Sequence, residues 1–306
     1  FRIPNMLRRM FAEGAFSQAF VPVLAASKEQ DGDAATHALI SAVATLLTLA
    51  LVVTCVAGIV GAPILVYMLA SGLSPEGFEA ATVMTRWMFP YIACMSLVAL
   101  GAGVLNTWKK FAIPAATPVL LNVAMITAAW LGAPWFKQLG LEPIYAMAAG
   151  VMLGGLLQLG AIWWALYRLG LAPAIRLSLA AARAAWSQPA TKRIVHLMGP
   201  ALLGVSVAQI SLLINTQIAS HLGTGSVTWL NNAGLLMEFP TAMLGVALGV
   251  VLMPQLAAAK ASQDAARFSE MIDWGLRLVV LMAVPSAVAL ITFAQPLVAV
   301  IFHNGK

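Results

Sequence analysis

Four ionisable residues lie inside apolar stretches of this chain, at positions where they could bind a charged substrate. Arg8, Arg9 and Glu13 fall in the first predicted helix, and Glu238 falls near the middle of the seventh. A charged side chain within a membrane span costs roughly 2.5–3.5 kcal/mol on insertion scales, so it usually faces a wet cavity. These residues are therefore the leading candidates for a functional site.

The chemistry open to these groups is anion binding by the arginines and cation or proton binding by the acids. Arginine offers a planar fork that suits phosphate or carboxylate, although both arginines could instead reach toward the membrane surface. Glu13 follows Arg9 by four residues and could simply pair with it. Glu238 precedes Pro240, which removes a backbone donor and loosens the helix. This acid could hold a cation, a proton or a buried arginine.

A polar sector on the predicted span 194–220 adds three weaker candidates for substrate binding, Ser206, Gln209 and Gln217. At about 100° per residue these side chains share one side of the helix with Thr216, whereas Ser211 and Asn215 lie opposite. The sector could line a cavity, or it could form hydrogen bonds to neighbouring helices. Both interpretations remain open from the sequence.

Catalysis and metal binding have no candidates in the sequence. The chain contains no Ser-His-Asp set, phosphate-binding glycine loop or ATPase motif, and its four histidines lack the spacing of metal ligands. Cys55 and Cys94 lie in apolar spans, where packing is the expected role. We therefore expect a protein that is not an enzyme and that needs no cofactor or metal.

The composition is that of a polytopic membrane protein. Hydrophobic residues make up 61% of the 306 residues and charged residues only 9%, against about 25% charged in soluble domains. Six uncharged stretches each reach the ~20 residues that cross a bilayer. The sequence predicts an all-α protein with about eight transmembrane helices. The expected spans are 1–26, 38–69, 82–107, 112–133, 144–167, 194–220, 226–256 and 272–302.

The basic residues indicate how these spans are oriented. Connections on one predicted side carry Lys28, Lys109, Lys110, Arg168, Arg176, Arg183, Lys192, Arg193, Lys260 and Arg267. Connections between spans on the other side carry only Lys137. By the positive-inside rule, the basic linker 168–193 lies in the cytoplasm, so the net charge of +6 does not indicate a nucleic-acid partner. Arg176 and Arg183 lie seven residues apart, which predicts one face of an interfacial helix.

An internal repeat predicts the architecture. Val21-Pro22-Val-Leu24-Ala25-Ala26-Ser-Lys28 matches Met253-Pro254-Gln-Leu256-Ala257-Ala258-Ala-Lys260, 232 residues later. Six spans separate the copies, so the repeats are parallel and a substrate site is expected between them near the bilayer midplane. We expect N-lobe transmembrane helices over 1–167, without their first helix, and the first three C-lobe helices over 194–306. We also expect that the chain is cut at both ends.

Long motifs give the chain a specific family resemblance. The segment Pro4-Asn-Met-Leu-Arg-Arg-Met-Phe-Ala-Glu-Gly-Ala-Phe-Ser-Gln-Ala-Phe-Val-Pro22 is similar to the signature of the MurJ (MviN) lipid II flippases of the MOP exporter superfamily. Further motifs are Leu105-Asn-Thr-Trp108, Met198-Gly-Pro-Ala-Leu-Leu-Gly-Val-Ser206, Leu236-Met-Glu-Phe-Pro240 and Asp273-Trp-Gly-Leu-Arg-Leu278. The chain resembles this family along essentially its whole length, as a fragment.

The resemblance implies a fourteen-helix protein of the bacterial plasma (inner) membrane with a MATE-like fold. Such a protein carries lipid-linked peptidoglycan precursor, a polyprenyl diphosphate, to the outer leaflet by alternating access, aided by membrane potential or a coupling ion. Its other expected partners are membrane lipids and cell-wall synthesis proteins. Arg8 matches the family's cavity arginine on this helix, and Arg9 and Glu13 stand beside it in the motif.

One departure from the family motif opens alternatives to lipid II transport. Where the family usually has Asp-Arg before Leu-Met-Glu-Phe-Pro, this chain has Gly234-Leu235, and an isobutyl group cannot bind phosphate. The chain could therefore be a decayed copy, or a non-transporting scaffold that binds precursor or cell-wall enzymes. A flippase for another polyprenyl-diphosphate glycan is a further alternative.

Overall fold

The computed structural model describes residues 15–223, 225–248 and 264–302, together with Met6, Leu252, Leu256 and Ala259. Regular secondary structure in these ranges is helical, which confirms the all-α membrane fold. The helices are α1 Ser17–Gln30, α2 Gly32–Val60, α3 Ala62–Ala70, α4 Pro75–Met88, α5 Tyr91–Thr107, α6 Ala112–Thr127, α7 Ala133–Gln138, α8 Tyr145–Arg168, α9 Leu179–Ser187, α10 Pro189–Ser220, α11 Ser226–Ala247, α12 Ala265–Thr292 and α13 Ala294–Phe302. A π-helical segment, Ala128–Gly132, joins α6 to α7.

Six helical stretches of the described chain are long and apolar enough to cross a membrane. They are Gly32–Val60, Pro75–Thr107, Ala112–Gln138, Tyr145–Arg168, Pro189–Ser220 and Ala265–Thr292. The predicted span 1–26 lies partly outside the described residues. Helix α11, with 22 described residues, would extend about 33 Å, but Asn231, Asn232 and Glu238 lower its hydropathy. The chain is a multi-pass membrane protein.

Glycine and proline divide two of the predicted spans into shorter helices. The span 38–69 breaks at Gly61, where Pro63 opens α3 and the Gly61 amide donates to the Ala57 carbonyl at 2.7 Å. The span predicted over 82–107 begins earlier, because the Ser74 hydroxyl accepts from the Gly77 amide and so caps α4. The break at Gly61 and the earlier start at Ser74 thus both follow from the residues at those positions.

Small residues bring the N-terminal helices into close contact. A Cβ at Gly154 of α8 would lie 2.7 Å from Leu121 Cδ1 of α6, and one at Gly155 would lie 2.7 Å from Tyr91 Cδ2 of α5. Gly101 of α5 meets Ile162 further along α8, so α5 and α8 run parallel. Such close approach through glycine is typical of membrane helix pairs. Large buried side chains of this core include Phe20, Leu24, Ile40, Tyr91, Leu100, Leu105, Ile162 and Leu166.

The basic linker is partly an extended strap and partly a helix. The strap lies along α2, where the Ala174 amide donates to Ser41 Oγ at 3.2 Å and the Arg176 amide donates to Thr45 Oγ1 at 3.3 Å. Helix α9 begins only after Ser178, whose hydroxyl caps it. Arg176 therefore precedes the helix and does not share a helical face with Arg183. The shared face that the seven-residue spacing predicted is not present.

The chain forms two compact units, Phe1–Leu222 and Gly223–Lys306. In the first unit, α10 packs against α1 and α3, although the repeat assigns α10 to the second lobe. The predicted break between α10 and α11 is present, with Gly225 in the left-handed region at φ 98°. In the second unit α11 packs against α12.

Candidate substrate-binding site

The leading arginine candidates lie outside the part of the chain that the structure describes. Arg8 and Arg9 lie there, together with the neighbouring acid Glu13. The assignment of these residues to a substrate cavity therefore stays a prediction.

Glu238 lies in the middle of α11 and is exposed in the second unit. Helix α11 continues through Pro240, which has no N–H to offer the Leu236 carbonyl. One residue later, the Thr241 hydroxyl donates to the Met237 carbonyl at 2.9 Å. An acid beside a proline that removes a helical donor could bind an ion or a proton.

The polar sector of α10 lies on the less exposed side of that helix. Gln209 is 8% exposed and Thr216 is 2% exposed, whereas Ser211 and Asn215 are exposed. The Ser206 hydroxyl donates to the Leu202 carbonyl within the helix at 2.6 Å. In the described conformation this sector therefore lies toward the packed side of α10.

Gln217, at the end of this sector, is hydrogen-bonded to the connection after α3. Its Nε2 donates to Ser71 Oγ at 2.6 Å, and its Oε1 accepts from the Ser71 amide at 3.1 Å. Ser71 Oγ also lies 2.9 Å from His221 Nε2. Sequence reasoning missed Ser71 and His221, since helical periodicity does not tell which loop a side chain meets.

A second polar contact ties the opposite end of the first unit together. Lys28 Nζ donates to the Thr107 carbonyl at 3.1 Å and lies 4.2 Å from the centre of the Trp108 ring. This contact joins the repeat that ends α1 to the Leu105–Trp108 motif that ends α5. The ammonium ion satisfies a free helix-end carbonyl and gains a cation–π contact. The sequence contained both motifs but no sign that they touch.

Helix α12 carries an exposed ion pair. Arg277 Nε lies 2.8 Å from Asp273 Oδ2, and the two side chains are 79% and 59% exposed. Pairs of this kind, four residues apart on a helix, stabilise weakly. Among the described residues, His, Cys, Asp and Glu form no group of three or more that could hold a metal ion.

Comparisons with known proteins identify the family. The family model "Lipid II flippase MurJ" matches residues 1–306. The chain is 52% identical over 309 residues to the lipid II flippase MurJ of Burkholderia cenocepacia, covering all of this chain and 58% of that protein. It is 38% identical over 314 residues to the probable lipid II flippase MurJ of Vibrio cholerae, again covering all of this chain and 58% of that protein.

A solved structure supports the fold. The structure titled "Lipid II flippase MurJ, inward closed conformation" matches with a TM-score of 0.80 at 21% identity, over 99% of this chain and 60% of that chain. The chain thus spans somewhat less than two thirds of the length of these relatives. Because the family model extends over every residue, the chain belongs to the lipid II flippase MurJ family.

Proposed function

We propose that the protein containing this chain is a lipid II flippase of the bacterial inner membrane. The observation that carries the proposal is the family match over residues 1–306, together with 52% identity to a named flippase. Several membrane-crossing helices, with basic residues concentrated on one side, fit a carrier of a lipid-linked substrate. The protein would be a transporter and would act by alternating access.

In this proposal Arg8 and Arg9 bind the diphosphate of the precursor, and Glu13 holds one guanidinium in place. A charged hydrogen bond in a cavity of low dielectric is strong, and the guanidinium fork matches phosphate oxygens. Ser206, Gln209 and Gln217 would contact the sugar headgroup when their side of α10 is exposed. Glu238 would bind a coupling ion or proton beside Pro240.

The test is growth rescue in a bacterium depleted of its own flippase. Arg8→Ala in the full-length protein is expected to abolish rescue at normal membrane levels, because it removes one of the two guanidinium groups proposed to bind the diphosphate. Arg183→Ala on α9 is the matched control, and it should rescue fully. Full rescue by Arg8→Ala would refute the assignment of Arg8, and failure of the unmodified protein would refute the flippase itself.

A second candidate, a non-transporting scaffold or decayed copy, is favoured by Gly234 and Leu235 in place of the family's Asp-Arg. Leu235 is 51% exposed, and no described atom outside the local helix lies within 4 Å of a Cβ built on Gly234. Gly234→Asp with Leu235→Arg therefore fits without steric conflict. Rescue gained only by this double variant would indicate decay. Rescue by the unmodified chain would favour the flippase. If the chain does not rescue a strain that lacks its lipid II flippase but does rescue one that lacks the flippase for another polyprenyl-diphosphate glycan, that glycan is the substrate.

A further inference from the structure

Five residues join the end of α3 to the end of α10, and we name them the outer clasp: Ser71, Gly72, Gln217, Ser220 and His221. Besides the Ser71 contacts with Gln217 and His221, the Gly72 amide donates to Ser220 Oγ at 3.2 Å. Ser220 Oγ in turn donates to the Gln217 carbonyl at 2.7 Å. The clasp thus links two segments that are distant in sequence: Ser71 and His221 lie 150 residues apart.

The backbones of the clasp approach so closely that Gly72 has no room for a side chain. A Cβ built on Gly72 would overlap the Ser220 carbonyl, and it would lie 2.9 Å from the His221 amide nitrogen. These are backbone atoms, which cannot move aside as a flexible side chain can. The clasp therefore depends on glycine at position 72.

The opposite end of α10 has the geometry of a hinge. Helix α9 ends at Ser187, and Gln188 is extended, with φ −68° and ψ 127°, before Pro189 opens α10. The strap before α9 is fixed to α2 through Ser41 and Thr45. Helix α10 has 32 residues, or about 48 Å. A small rotation at Gln188 thus becomes a large displacement at the clasp.

We propose that the outer clasp holds the end of α10 against the end of α3 in one state of the transport cycle and must open in the other. This inference rests on the proposed function and on the repeat, which makes α10 the first helix of the second lobe. Alternating access requires the lobes to separate at each membrane face in turn. The Ser71–His221 contact is exposed, so water can replace its hydrogen bonds as the clasp opens. Ser71, Gly72 and Gln217 are positioning residues.

The test is a reversible lock in the full-length protein. Ser71→Cys with His221→Cys is made after Cys55 and Cys94 are changed to Ala, and the pair is joined by a short, reducible bis-methanethiosulfonate reagent; neither residue is assigned to substrate binding, and their side chains lie 2.9 Å apart. Cross-linking is expected to abolish growth rescue, and dithiothreitol is expected to restore it. A pair that joins the strap to α2, Ser41→Cys with Ala174→Cys, is the control and should keep rescue when cross-linked. Full transport by the cross-linked 71–221 pair would overturn the proposal.

A second measurement does not depend on transport. Gly72→Ala should lower the cross-linking yield of the 71–221 pair several-fold, because the added methyl holds the backbones apart. Gly204→Ala, on α10 with no described neighbour within 4 Å of its Cβ, should leave the yield unchanged. An unchanged yield in Gly72→Ala would refute the clasp. Loss of rescue in the unmodified protein, with the yields as expected, would instead refute the proposed flippase.

Discussion

The contact between Gly101 of α5 and Ile162 of α8 gives a quantitative test of the helix packing. A Cβ at Gly101 would overlap Ile162 Cγ2 and would lie 3.2 Å from Leu166 Cδ1. Ile162 and Leu166 are both 0% exposed, and a β-branched side chain in a helix has one strongly preferred rotamer. The Ile162 methyl therefore cannot turn away from an added methyl group, and Gly101→Ala overpacks the seam.

Overpacking of this kind costs about 1–3 kcal/mol, whereas alanine in place of a helical glycine contributes about 1 kcal/mol of stability. We therefore expect Gly101→Ala to lower the free energy of unfolding by a net 1 kcal/mol or so. The control is Gly160→Ala on α8, which has no described atom within 4 Å of its Cβ. That variant should gain stability, since only the helix propensity changes.

The interaction itself is measured by a double-mutant cycle with Ile162→Ala. The single change leaves a cavity and should cost about 2–5 kcal/mol. In the double variant the methyl at position 101 enters space vacated by Ile162 Cγ2, so the coupling energy should reach about 1 kcal/mol. The assay is heat-induced unfolding of the full-length protein in mild detergent. Additive effects, or Gly101→Ala as stable as Gly160→Ala, would refute the packing.

Two further predictions concern polar groups of the first unit. Lys28→Met should lower the free energy of unfolding by about 1 kcal/mol, because it removes a charge-assisted hydrogen bond and a cation–π contact of a half-exposed ammonium. In a double-mutant cycle followed by thermal unfolding, Lys28→Met and Trp108→Leu should be non-additive. Additive effects would exclude the cation–π contact. Gln158 is 2% exposed and its Nε2 has no hydrogen-bond partner in the described part of the protein. Gln158→Leu should therefore raise the free energy of unfolding by about 1–3 kcal/mol, whereas Gln158→Ala should not. A Gln158→Leu variant less stable than Gln158→Ala would show that the amide has a hydrogen-bond partner.

The features that sequence reasoning predicted are those encoded in contiguous residues. Hydropathy is a sum over one segment, so the uncharged stretches revealed the spans. The break between α10 and α11 was predicted by the gap between the spans 194–220 and 226–256, and Gly225 in that gap takes a positive φ. Family motifs added the fold, which the 0.80 TM-score to a solved structure supports.

The features that sequence reasoning missed depend on contacts between distant segments. Periodicity placed Gln217 in a polar sector, but it did not show that Ser71 accepts from it across 146 residues. Seven-residue spacing put Arg176 and Arg183 on one face only if a single helix contained both. The Ser178 cap begins α9 between them. Helical periodicity therefore predicts on which side of a helix a residue lies. Capping residues and neighbouring segments determine where the helix begins and which residues it contacts.

The hydrogen bonds of Gln217 limit when this residue could contact a substrate. Its amide nitrogen and its amide oxygen are both engaged by Ser71 in the described conformation. A headgroup that took the place of Ser71 at both atoms would replace these bonds, and it would then stabilise the open clasp over the closed one. A ligand shifts a conformational equilibrium only through a difference in its interactions with the two states. Substrate binding of this kind at Gln217 would exclude closure of the outer clasp, which would couple loading of the cavity to release of α10.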